Sequence, residues 1–357
     1  MGPAKHLLIL ACAGLFVAPC SGLDRAAQSP LKPETAKQRA EADKIGNAAL
    51  SLSLSGRGAQ SMILIDRAIK QNPQSASLYA HRARLILENR VDRGNGAIDR
   101  AAIKKIEQDL KESLVLDDTV SDAYYVRARL SILESDEATA LKDLSRAIEL
   151  CPANLRAHLW RADILEGDGK YGEACKDLDA AVKLVPGGEM HMKRALLKRH
   201  AGDLKGAIED YTIALKGGPA SFIYSRRADV YEQARQFEKA IADQRKSLET
   251  NDNPSDRVNS RKKIARMLLE MKHYGEAASE FETILRMNPD DFPSIGSHLT
   301  CQMKMKNWSA ALADVNKLIG WESGYAGYYR QRAEIYRALG KAELAALDEK
   351  KAQQLKQ

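Results

Sequence analysis

The residues of this chain able to do chemistry are few and scattered. A G-x-G-x-x-G spacing occurs at Gly167, Gly169 and Gly172, the glycine pattern that cradles a dinucleotide pyrophosphate when it follows a strand and opens a helix. Here it lies between two helical segments, and it is read as a turn. His158 and His191 are 33 residues apart in matching surroundings, which would bring two imidazoles together for metal binding or acid–base work. Tyrosines fill the same place elsewhere, so the two histidines are read as occupants of a packing slot. Asn307-Trp308-Ser309 is a glycosylation sequon placed at a turn, where Asn and Trp already have local roles. Phosphate-loop, zinc-protease and nucleophile-elbow patterns are absent from the sequence. The five cysteines contain no C-x-x-C, and Cys151, Cys175 and Cys301 are too widely spaced for a disulfide framework, so they are expected to fill small apolar gaps. The expectation is a protein without catalytic residues, metal or cofactor.

The elements that carry these residues repeat. Small residues inside amphipathic helical stretches fall at Ala49, Ala83, Ala128, Ala162, Ala195, Ala228, Ala265 and Ala333, with Leu299 filling the remaining place. Most of the spacings are 33 or 34. Twelve residues on stand Ser61, Ala140, Ala174, Ala207, Ala240, Ala277, Ala311 and Ala345, with Ile106 following an 11-residue insertion around positions 91–101. A third set follows seven residues later, and Pro73, Pro152, Pro186, Pro219 and Pro289 come five after that. Small side chains let two helix backbones approach closely, and a proline stops the second helix before the next unit starts. Each unit is therefore a helix hairpin with a Gly-rich or Asn/Asp/Lys-rich turn. The insertion is expected to be a loop or an extension of both helices of its hairpin.

The repeat also aligns charge. Arg82, Arg127, Arg161, Arg194, Arg227 and Arg332 each precede the small residue by one. Asp143, Asp177, Asp210, Asp243 and Asp348 follow sixteen residues after their arginine, and Asp109 takes that place beyond the insertion. Both partners lie eight residues from the turn centre, hence about 12 Å up their helices at one level. These are read as structural ion pairs with the two-pronged geometry that a guanidinium permits. The seventh unit has Ile264 opposite Glu280 and the eighth has His298 opposite Asp314.

The 34-residue period, with Tyr79, Tyr124, Tyr224 and Tyr329 in the first helix and Tyr171, Phe237, Tyr274 and Trp308 before the second, resembles the tetratricopeptide repeat family. The resemblance runs from about residue 42 to residue 357, with repeats starting near 42, 76, 121, 155, 188, 221, 258, 292 and 326. It implies an all-α fold, a right-handed α-solenoid of stacked helix hairpins over 35–357. It also implies a concave groove that holds a protein or peptide, and hence a scaffold or assembly factor. Family positions facing the groove put Arg84, Tyr125, Arg129, Arg156, Phe222, Lys262 and Arg266 forward as partner-binding residues, interrupted by Asp163, Asp229 and Glu232. Cations beside aromatics suit a partner with acidic character. The family's clamp for chaperone tails is not matched: its positions hold Ala80 and Arg84, Tyr125 and Arg129, then Leu159 and Asp163, and only Lys262 with Arg266 resembles part of it. A solenoid-bodied enzyme and a cytoplasmic co-chaperone adaptor are the competing classes. Glu349 stands where Leu144, Leu178 and Phe281 stand in other repeats, giving the ninth repeat the polar outer face of a terminal cap.

Charge and the N-terminal segment bound the setting. Basic residues number 55 against 48 acidic in 357, a net +7 too diffuse for a nucleic-acid partner. Lys5 and His6 precede an apolar run from Leu7 to Ala18, followed by Pro19, Cys20, Ser21 and Gly22, which is the layout of a secretory leader. Twelve apolar residues span about 18 Å as a helix, short of the bilayer core. Residues 1–22 are thus expected to be a signal peptide, 23–34 a linker, and the protein secreted or periplasmic. Contact with a membrane would require lipidation of Cys20, where Pro19 departs from the lipoprotein pattern.

Overall fold

In the computed structural model the described residues are 33–91, 99–218 and 220–355, the side chains of 90 and 91 excepted. The expected leader, Cys20, Pro219 and most of the insertion lie outside them. The helices are α1 (Ala36–Leu54), α2 (Gly58–Gln71), α3 (Ala76–Ile86), α4 (Arg100–Leu116), α5 (Ser121–Leu133), α6 (Glu137–Leu150), α7 (Leu155–Gly167), α8 (Tyr171–Leu184) and α9 (Gly188–His200) in one compact unit ending at Ala201. A second unit, beginning at Gly202, holds α10 (Leu204–Ala214), α11 (Ser221–Gln233), α12 (Phe237–Glu249), α13 (Pro254–Glu270), α14 (Tyr274–Met287), α15 (Phe292–Lys304), α16 (Trp308–Trp321), α17 (Ala326–Ala338) and α18 (Ala342–Gln354). Among the described residues there is no strand. The fold of each unit is all-α, built of consecutive helix hairpins stacked as a solenoid.

The hairpins form where the small residues predict. Ala83, Ala128, Ala162, Ala195, Ala228, Ala265 and Ala333 are buried in first helices, and Ala140, Ala174, Ala207, Ala240, Ala277 and Ala311 in second helices. Leu299 fills its place as a buried leucine. Tyr171, Phe237, Tyr274 and Trp308 are each the first residue of a second helix. Second helices α2, α6, α8 and α14 end two residues before Pro73, Pro152, Pro186 and Pro289, because proline lacks the N–H to continue and disfavours helical backbone before it.

One backbone feature fixes the hairpin turn. Ser135, Gly169, Gly202, Arg235, Lys272, Lys306 and Gly340 all have φ between +56° and +84°. A left-handed residue there ends the first helix and reverses the chain, which is why glycine recurs at this point. The G-x-G-x-x-G is accordingly a helix–turn–helix, with Gly169 its left-handed residue.

Two first helices begin earlier than the repeat spacing suggests. α1 starts at Ala36 because Thr35 and Gln38 form a reciprocal capping box. α13 starts at Pro254, where Asn253 accepts from the Ser255 N–H at 2.9 Å and proline occupies the first turn. α3 continues into a π-helical turn over Leu87–Val91, so the first helix of the inserted hairpin is lengthened, and α4 runs to 17 residues. Cys175 and Cys301 are not in disulfides. Cys151 is disulfide-bonded, which corrects its reading as a gap filler. No described helix is long and apolar enough to cross a membrane.

Candidate functional site

The arginine row is the scaffold on which any groove is presented. Arg127 Nε and Nη2 each donate at 2.7 Å to the two oxygens of Asp143, and Arg161 meets Asp177 at 2.9 and 2.7 Å. Arg227 meets Asp243 at 2.7 and 2.9 Å, and Arg332 meets Asp348 at 2.7 and 2.8 Å. Arg82 holds Asp109 across the insertion with two 2.7 Å bonds. Arg194 donates to Asp179 at 2.7 Å, while Asp210 is buried in the second unit. Asp177 is held below the ordinary carboxylate value: burial pushes it up, but hydrogen bonds from His158 and Arg161, and their charge, outweigh that.

Sequence reasoning missed the third arm of these arginines. The remaining guanidinium nitrogen reaches back to the preceding hairpin, to Asp66 from Arg82, Ser145 from Arg161, Thr212 from Arg227 and Asn316 from Arg332, at 2.8 to 3.0 Å. Each of these arginines therefore ties three helices of two hairpins. The acceptors fall 15 or 16 residues before their arginine but vary in type, so only their shared ability to accept could have disclosed them. Three residues before Arg82, Arg127, Arg227 and Arg332, a tyrosine ring lies 5.1 to 5.9 Å from the guanidinium carbon. His158 fills that slot differently: its Nδ1 is 2.7 Å from Asp177, so it is a hydrogen-bonding member of the pair rather than packing alone. His191 is buried. The seventh hairpin supplies its cation one turn earlier, Arg261 donating to Glu280 at 2.6 Å.

The seven partner-binding candidates divide by unit. In the first, Arg84, Tyr125 and Arg129, put forward as partner-binding residues, are only 2–6% exposed and offer a partner almost no surface. Arg84 Nη1 donates to Asp122 at 2.6 Å and its Nε lies 3.6 Å from Glu88. Arg156 lies 3.7 Å from the same Glu88, and the Arg129 guanidinium carbon sits over the Trp160 ring, 3.7 Å from its centre, while the side chain reaches the Tyr125 hydroxyl at 3.5 Å. Asp122 is held below its ordinary value, the effect of burial being outweighed by Arg84, His81 and Arg156, and burial pushes the Tyr125 phenol up. These residues form an internal charged network, so an Arg84→Glu change would break the fold rather than report on a surface.

In the second unit, Phe222, Lys262 and Arg266 line one open cleft of about 690 Å³ with Arg226, Asp229 and Lys263. α11 contributes Phe222, Arg226 and Asp229, spaced so that they share one helix face, and α13 contributes Lys262, Lys263 and Arg266. Phe222 is 56% exposed, an aromatic ring offered to solvent. Lys262 pairs with Asp291, Lys263 with Asp229, and Arg266 with Glu232 at 2.5 Å, each reaching from one hairpin to a neighbour. The side chains of Lys262 and Arg266 remain 39% and 62% exposed, leaving donors for a further acceptor. Four cations and the carboxylates of Asp229 and Asp256 line it, with Asp291 and Glu232 paired to two of the cations. Such a cleft can seat an apolar group on Phe222 with carboxylates alongside. Among the described residues no group of three or more His, Cys, Asp or Glu is placed to hold a metal ion.

Comparison with known proteins gives the same pattern. The tetratricopeptide repeat profile matches residues 135–189, and a second form of it matches residues 223–254. The Hsp70-Hsp90 organizing protein of Triticum aestivum is 27% identical over 213 residues, covering 57% of this chain and 36% of that protein. Hsp70-Hsp90 organizing protein 3 of Arabidopsis thaliana is 25% identical over 211 residues, covering 57% and 37%. The chain thus spans little more than a third of the length of these relatives. Among solved structures, the C-terminal part of a TPR repeat-containing protein from Cytophaga hutchinsonii superposes with a TM-score of 0.52 at 13% identity, covering 71% of this chain and 98% of that one. That likeness concerns the fold.

Proposed function

The chain belongs to the tetratricopeptide repeat family, a family of protein-binding scaffolds, and on that premise we propose that it is a non-catalytic adaptor acting outside the cytoplasm. It holds a protein or peptide partner with acidic character in the cleft of its second unit. The observation that carries this reading is the cleft itself, where a half-exposed Phe222 stands beside Arg226, Lys262, Lys263 and Arg266. Aromatic and arginine side chains are the types that dominate binding energy at interfaces. The leader-like order of charge, apolar run and small residues over 1–22 supports export to a periplasmic or extracellular setting.

The test is binding to an immobilised peptide series in which acidic residues flank one apolar anchor. Binding is expected to fall as salt is raised, since exposed charges are screened beyond about 8 to 10 Å. Phe222→Ala and the double change Lys262→Gln with Arg266→Gln, which removes the charges without setting carboxylates against Asp291 and Glu232, should each weaken it at least tenfold without altering helical content. Binding unchanged by both would place the site elsewhere.

A further inference from the structure

In five hairpins the first helix is held to the second by an arginine, which is charged at every accessible pH; the eighth has His298 in that place. His298 is 7% exposed, and its Nδ1 lies 2.7 Å from Asp314 Oδ2 on α16, the geometry arginine has elsewhere. Its Nε2 lies 3.6 Å from Glu282 on α14 and 2.9 Å from Gln302 Nε2 on its own helix. Gln302 Oε1 is buried and makes no hydrogen bond.

These contacts suit two protonation states. With a neutral ring, Nδ1–H donates to Asp314 and Nε2 accepts from the Gln302 amide, leaving Gln302 Oε1 orphaned. Amide oxygen and nitrogen are interchangeable in shape, so turning the amide over brings Oε1 onto Nε2. That arrangement gives Oε1 a partner and leaves the amide NH2 in its former place, and Nε2 must then carry a proton, which makes the ring a cation between Asp314, Glu282 and an amide oxygen. Asp314 from α16 and Glu282 from α14 are the charges acting on the ring. Cys301, on the same helix, stays a neutral thiol because burial pushes it up to about 11.

We propose that His298 is a pH-responsive latch on α15, clamping it to α16 and α14 as a cation and holding it more weakly when neutral. α15 also supplies Ser294 and Ser297 to the cleft, and Asp291 at its N-cap pairs with Lys262. Acidification therefore firms one wall of the cleft. This last step rests on the cleft being the partner site; the latch itself does not. Burial lowers the affinity of His298 for its proton, yet Asp314 and Glu282 outweigh that and raise it above the ordinary value. A group raised in this way contributes fully below the unfolded value of about 6.5 and loses its contribution as pH rises through the native value.

Amide hydrogen exchange of the full chain, read by mass spectrometry at pH 5.5 and 8.5 and corrected for intrinsic rates, tests the latch without any partner. Peptides from α15 and α16 should exchange about fivefold more slowly at pH 5.5, the ratio expected when a neutral hydrogen bond becomes charge-assisted. Peptides from α11 and α12, clamped by Arg227 and Asp243, should show no such change. His298→Arg should be protected at both pH values and His298→Gln at neither. Equal protection of α15 at the two pH values in the wild type, or a pH dependence that survives His298→Gln, would overturn the proposal. Failure of peptide binding at the cleft would leave the exchange result untouched.

Discussion

Replacing Arg161 by alanine measures what the arginine row contributes. The change removes two donors from Asp177 at 2.9 and 2.7 Å and one from Ser145 at 3.0 Å. Asp177 is 2% exposed, and stripping the cation from a buried pair costs about 3–5 kcal/mol. Two features reduce that figure. His158 stays 2.7 Å from Asp177, and the quarter-exposed site of Arg161 admits water, so a loss of about 2–3 kcal/mol is expected. Asp177→Ala should cost about 2 kcal/mol, because the guanidinium left behind turns to solvent. The double variant should lose about 1.5 kcal/mol less than the sum, since neither partner is then left alone. Stacked repeats open locally, so the assay is the opening free energy of α7 and α8 from amide exchange in a double-mutant cycle rather than one global melt. A double variant equal to the sum of the singles within about 0.5 kcal/mol would refute the pairing argument.

Three more expectations follow from the same geometry. The lowered affinity of Asp177 for its proton means its contribution is complete above the unfolded value of about 4 and lost as pH falls through the native value. Exchange protection of α7 and α8 should therefore decline in acid in the wild type and be insensitive in Asp177→Asn. Gly46→Ala should destabilise by about 2 kcal/mol despite alanine's better helix propensity, because its Cβ would lie 2.4 Å from the His81 ring, which is itself held by Asp43 at 2.9 Å. A higher melting temperature would contradict that. Lys272→Gly should raise stability by about 0.5–1 kcal/mol, since Lys272 has φ +62° at a turn position held elsewhere by Gly56, Gly169, Gly202 and Gly340. An unchanged or lowered urea midpoint would show that the lysine relieves the strain in some other way.

The hairpins were legible because alanines repeated within one chain make it its own alignment, and because proline and left-handed turn residues act locally. The Arg–Asp pairs were legible from a constant offset of sixteen residues. The backward arm of each arginine was not, because Asp66, Ser145, Thr212 and Asn316 share only an acceptor oxygen. Arg261 was missed because it reaches Glu280 from one turn earlier than its counterparts. Which of the groove positions stay exposed was not legible for a physical reason: helix periodicity says which face a side chain takes, not what lies over it. Arg129 is covered by Trp160, 31 residues away, whereas Phe222 is left open, and no spacing in the sequence distinguishes the two.

The central claim is that the second-unit cleft holds the partner, and site-specific photocrosslinking tests it most directly. A benzophenone amino acid placed at Phe222 of the full chain in its native setting should give covalent adducts of defined mass. The adducts should disappear when Lys262→Gln and Arg266→Gln are combined with it, while the same probe at Ile63, exposed on α2 of the first unit, should give none. Adducts that persist in the charge-neutralised chain, or that form at Ile63 and not at Phe222, would contradict the account.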